Sequence, residues 1–164
     1  MKAKNWDNQN KCSLPEKGGA RVSINAFMMA NLFFILTLIW TLSPDKFSKF
    51  IIYQLVLGIP LLFISSLSYA KLGYWKDILV WDRFAWITNT MGNIFVLNII
   101  GLIAATIDRT LSFVYFGFVI VLITSYYGIN VKLAPHTTWA RIRKFVFFII
   151  ILALGGILPL VLGL

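Results

Sequence analysis

The chain has 164 residues, of which 59% are hydrophobic and only 13% charged. Soluble domains are close to half apolar and about a quarter charged, so this composition points away from the soluble globular class. The net charge of +9 raises the question of nucleic acid. The Lys and Arg sit at the ends of apolar runs rather than along one continuous face, which argues against direct nucleic-acid binding and for membrane orientation.

A membrane-crossing helix needs about 20 mostly apolar residues, because the hydrocarbon core is roughly 30 Å thick. Residues 1–21 form a basic tail, expected to be cytoplasmic, with Lys2, Lys4, Lys11, Lys17 and Arg21. The first span is expected from Val22 to Leu42. It is too long for a signal-peptide core and has no small-residue cleavage site after it, so it stays in the chain. The second span runs from Phe50 to Ser68 and contains Pro60, which removes a backbone donor and predicts a kink.

Lys71 to Asn89, KLGYWKDILVWDRFAWITN, is too apolar for a solvated linker and too charged to span. It is expected to be an interfacial helix between spans 2 and 3. Span 3 is expected over Met91–Ile107 and span 4 over Leu111–Tyr127. Asp108 and Arg109 divide a block too long for one crossing, and mid-membrane charges are costly, so the pair reads as a tight hairpin turn. Span 5 runs from Phe145 to Leu164. The expected fold is an all-α integral membrane protein, a five-helix transmembrane bundle over residues 22–164, with spans at about 22–42, 50–68, 91–107, 111–127 and 145–164.

Of the 15 Lys and Arg, only Lys46, Lys49 and Arg109 fall in the loops after the first and third spans. The rest lie in the N-terminal tail, at Lys71, Lys76 and Arg83, and at Lys132, Arg141, Arg143 and Lys144. The positive-inside rule then puts the N-terminus inside and the C-terminus outside, in a multi-pass protein of the plasma (inner) membrane. Trp40, Trp75, Trp81, Trp86 and Trp139 lie at span ends, where an amphipathic ring favours the headgroup layer.

Polar side chains within spans are the candidates for function, because in hydrocarbon each needs a partner or a wet cavity. These are Asn25, Asn31, Gln54, Asn93 and Asn98. Asn31 and Asn98 fall at similar depths on helices of the same direction and could bond each other, and such polar residues serve either as interhelical glue or as the lining of a water or ion path. Gly101 and Ala105 share a face with Asn98. Gly155, Pro159 and Gly163 recur at four-residue steps, with Gly156 beside the first. Such small-residue faces suit close helix packing or subunit contacts, and a homo-oligomer is expected.

Catalysis is not expected. One His, one Glu and five Asp supply the ionisable groups. His136 has no second ligand near it in sequence, Asp77 and Asp82 do not share a helical face, and no phosphate loop or intramembrane-protease motif is present. Cys12 is the only cysteine, which excludes an intramolecular disulfide and a Cys-based metal site. Neither a cofactor nor a metal is expected. The segment Thr88–Ile103, TNTMGNIFVLNIIGLI, resembles the Asn- and Gly-bearing helix of small fluoride channels over about a tenth of the chain. Five spans and the lack of a Gly-rich arginine segment separate the chain from that family.

Two functions are compatible with this pattern. The first is a non-catalytic membrane subunit that senses or anchors and docks a soluble cytoplasmic partner, as small membrane subunits do in stress and phage-defence systems. The docking surface is then Lys132, Arg141, Arg143 and Lys144 with Lys71, Lys76 and Arg83. These cations also suit membrane lipids carrying anionic headgroups. The second is a small homo-oligomeric channel lined by Asn25, Asn31, Asn93 and Asn98.

Overall fold

A computed structural model of the chain describes residues 14–42, 47–72, 78–133 and 138–163. Among the described residues there are five helices, each long and apolar enough to cross a membrane. They are α1 (Leu14–Leu42), α2 (Lys49–Lys71), α3 (Ile78–Ile107), α4 (Arg109–Leu133) and α5 (Thr138–Leu162). α5 is α-helical over Thr138–Leu152, π-helical over Ala153–Ile157 and α-helical again over Leu158–Leu162. Large apolar side chains remain exposed on every helix, among them Phe27, Phe63, Phe84, Phe118 and Val146. Exposed apolar surface of this extent is expected of helices whose outer faces meet lipid.

The helices outrun the apolar runs that mark them. α1 starts at Leu14, within the stretch read as a basic tail, where Pro15 and Glu16 suit a first helical turn. Among the described residues of Lys71–Asn89 no separate interfacial helix is formed. From Ile78 onward that segment is the opening of α3, which continues unbroken to Ile107. No Gly or Pro interrupts the backbone hydrogen bonds there, and the aromatic turns pack on α2. Residues 73–77, including Lys76, lie outside the described residues, as do residues 1–13 and His136. α2 continues as α-helix through Pro60.

The chain divides into two compact units, Met1–Thr37 with Leu57–Asn93, and Leu38–Val56 with Ile94–Leu164. In the first, Tyr69, Leu72 and Ala85 form a buried cluster flanked by Val22 and Trp81. A hydrogen-bonded relay joins its three helices. The Asn25 amide donates to the Ser65 hydroxyl at 3.2 Å, and that hydroxyl donates to the Ala85 carbonyl at 3.1 Å. Gly18 lets α1 approach α2 closely, since a Cβ there would stand 3.1 Å from the Tyr69 carbonyl oxygen.

The second unit is built on the α3–α4 hairpin. Asp108 is the one residue between the two helices. Its N–H donates to the Ala104 carbonyl at 3.0 Å, closing α3, and its carboxylate accepts the Thr110 N–H at 2.8 Å, capping α4. The returning helix lies against α3. Ser112 donates to the Gly101 carbonyl at 2.7 Å, and the Phe116 ring fills the space where Gly101 has no side chain.

Candidate functional site: a buried amide cluster and the basic helix ends

A buried polar cluster in the second unit is made by α2, α3 and the π-helical stretch of α5. A π turn widens the helix and displaces its carbonyls from ideal backbone pairing, and such turns are often found at functional positions. Here the Gly155 carbonyl accepts the Gln54 side-chain amide at 2.8 Å. Two adjacent glycines, Gly155 and Gly156, leave room for the carboxamide of Asn98. A Cβ on Gly156 would stand 2.6 Å from the Asn98 Oδ1, and one on Gly155 would collide with its Nδ2.

Asn98 is completely buried, yet neither its Oδ1 nor its Nδ2 has a hydrogen-bond partner. Gln54 Oε1 is likewise buried and unpaired. Leaving a buried polar group unsatisfied costs about 1–3 kcal/mol. The cluster therefore holds three unused hydrogen-bonding atoms at one place, which suits a water molecule or another small polar guest.

A cavity of about 270 Å³ lies one helical turn away. Ile51, Leu102 and Pro159 line it, three or four residues along the same faces from Gln54, Asn98 and Gly155. Ser48, Thr106 and Arg109 supply its polar atoms, with Ala105 and Gly163 also in its wall. Arg109 donates to the carbonyls of Leu160 and Val161 at 3.0 and 3.1 Å. These are end-of-helix carbonyls without helical partners, and a cation beside them also complements the helix dipole. Gly163 closes α5 in the left-handed conformation at φ 72°.

Asn31 donates to the Phe27 carbonyl of its own helix at 3.0 Å, a carbonyl one turn back being within reach of an Asn on a helix. Asn25 belongs to the relay in the first unit, with its Oδ1 unpaired, and Asn93 Oδ1 is buried without a partner. The polar residues are thus dispersed, and only Gln54 and Asn98 converge. Gly101 and Gly155, read as packing positions, accommodate Phe116 and Asn98 of the same chain.

The basic residues mark helix ends. Arg21 lies near the start of α1, Lys71 is the last residue of α2, Arg83 is in the opening turns of α3, and Lys132 is in the last turn of α4. Arg141, Arg143 and Lys144 are in the opening turns of α5. Arg83, Lys132 and Arg143 are exposed, whereas Arg141 is partly buried. Arg21 donates to the Tyr69 hydroxyl at 2.6 Å and lies 4.8 Å from that ring's centroid, while Lys71 lies 4.3 Å from the Trp81 ring centroid. These aromatic partners are not evident from spacing, although an Arg and a Tyr at opposite span ends provide the only hint.

No protein family, curated protein or solved structure matches the chain. Its class follows from the helices themselves, whose lengths and apolar surfaces fit a multi-pass membrane protein.

Proposed function

We propose that the chain is a non-catalytic, oligomeric, multi-pass subunit of the inner membrane that senses or anchors there and docks a soluble cytoplasmic partner. The observation that carries this reading is the position of the exposed cations. If each helix crosses once, the start of α1, the end of α2, the start of α3, the end of α4 and the start of α5 share one side. Arg83, Lys132 and Arg143 stand exposed at those ends. The positive-inside rule makes that side cytoplasmic. In-cell crosslinking of wild type and of a Lys132→Gln, Arg143→Gln, Lys144→Gln variant tests it. A soluble protein captured by wild type and lost from the variant supports docking, and equal capture refutes it.

A second reading is a small homo-oligomeric channel, favoured by the unpaired Asn98 carboxamide and the unpaired Gln54 Oε1 beside a cavity. The Asn25 and Asn31 amide nitrogens already donate to the Ser65 hydroxyl and the Phe27 carbonyl, which leaves fewer free donors for a polar lining than the sequence offered. Ion flux in proteoliposomes decides this reading, since a protein that passes no ions is not a channel.

A further inference from the structure

A groove between α4 and α5 combines a cation with an unsatisfied donor and an open apolar trough. Its volume is about 260 Å³. Thr124, Tyr127, Gly128 and Val131 line it from α4, at the i, i+3, i+4, i+7 spacing of a single helical stripe. That stripe is about 10 Å long at 1.5 Å per residue. Phe145 and Ile142 of α5 form the other wall, and the Tyr127 and Phe145 rings lie 5.3 Å apart across the trough. Gly128 has nothing within 4 Å of the position its Cβ would take, so the trough is open there.

Arg141 stands at the end of the groove nearest the start of α5. Its Nη1 is buried and has no hydrogen-bond partner. A guanidinium nitrogen withdrawn from water and left unpaired is unfavourable, and it favours a planar oxyanion as partner. No carboxylate is among the residues that line the groove. The cation lies toward the helix ends and the aromatic trough extends toward the middle of the helices. An amphiphile with an anionic head and an apolar chain has the same polarity.

We propose that this groove binds an anionic phospholipid, with the phosphate held by Arg141 and an acyl chain lying over Gly128 against Tyr127 and Phe145. Basic pockets between membrane helices commonly take such headgroups. The site assigns Arg141 to lipid and leaves Lys132, Arg143 and Lys144 to the partner proposed above, so it rests on the membrane reading but not on the existence of that partner.

The test is native mass spectrometry and thermal unfolding of the full chain in mild detergent. The probes are phosphatidylglycerol, phosphatidylcholine and inorganic phosphate. Wild type should retain phosphatidylglycerol and unfold at a higher temperature with it, and show neither effect with the other two. Arg141→Gln removes the charge and keeps the trough, while Gly128→Leu keeps the charge and fills the trough. Each should lower phosphatidylglycerol retention about tenfold, which for Arg141→Gln is the loss expected for one charge-assisted contact. The Lys132→Gln, Arg143→Gln, Lys144→Gln variant should retain the lipid, whatever becomes of the soluble partner. Wild-type retention by either single variant overturns the site. So does equal binding of phosphatidylcholine, equal stabilisation by inorganic phosphate, or loss of lipid from the triple variant as large as that from Arg141→Gln.

Discussion

The Gln54 side-chain amide donates to the Gly155 main-chain carbonyl at 2.8 Å, joining α2 to α5 where α5 turns π-helical. Gln54→Leu leaves that carbonyl without this donor. It also removes the unpaired Oε1, so the net loss should be modest, about 1 kcal/mol. A lower unfolding midpoint in detergent checks it. An unchanged midpoint would mean that the π stretch holds its geometry without help from α2.

Asn98→Leu replaces a buried, unpaired carboxamide with an apolar side chain of similar size. Removing unsatisfied polar atoms should leave stability unchanged or raise it by about 1–2 kcal/mol. A fall of that size instead would show that the amide has a partner in the membrane, such as a bound water. In the channel reading the same variant abolishes flux in proteoliposomes while assembly persists.

Gly155→Ala and Asn98→Ala should be strongly coupled. The methyl group at Gly155 meets the Asn98 amide, and overpacking of this kind costs about 1–3 kcal/mol. Truncating Asn98 removes the obstacle. A double-mutant cycle should show rescue of about 1 kcal/mol or more. Gly156→Ala should be rescued less, because its Cβ would also stand 2.6 Å from the Phe116 ring. Additive effects at Gly155 and Asn98 would contradict the contact.

Arg109→Ala removes the donor to the carbonyls of Leu160 and Val161. The last turn of α5 should fray, with a local loss of about 1–2 kcal/mol. Faster amide hydrogen exchange at Leu162 and Gly163, with no change in the π stretch, is the expected signature. Uniform acceleration along α5 would indicate a wider role for Arg109.

Tyr69→Phe keeps the ring beneath Arg21 but removes the hydroxyl that accepts its 2.6 Å hydrogen bond. Tyr69→Leu removes both. The first should lower stability by about 1 kcal/mol and the second by more, because the ring is buried among Leu72 and Ala85. Equal effects would assign the whole contribution to the hydroxyl.

The five helices were legible because hydrocarbon thickness sets a minimum apolar length that five runs meet. Their ends were less so. Backbone hydrogen bonding continues past the last apolar residue when nothing interrupts it, as at Leu14 and at Ile78. The aromatic segment before span 3 looked separate because it is too charged to span, with Lys76, Asp77 and Arg83 among its residues. On a helix the exposed Arg83 takes the face away from Ala85, which is buried against α2, so its charge did not require a break.

Small residues carried a different kind of information. Gly101, Gly155 and Gly156 marked close approach, and their spacing was visible, but the groups that approach them were not. A glycine records only that something fills the place of its side chain. Phe116 and Asn98 fill it here. Depth along a helix follows from counting residues, while the direction in which a side chain points depends on rotation about the axis.

Hydropathy and the order of the charges were sufficient for five long apolar helices and for a break at Asp108, because both depend on local length and local cost. The convergence of Gln54, Asn98 and the π stretch of α5 required the folded chain, as did the groove beneath Arg141. Each depends on which helix lies alongside and on the rotation it adopts, and residues as far apart in sequence as Gln54 and Gly155 carry no local mark of their meeting.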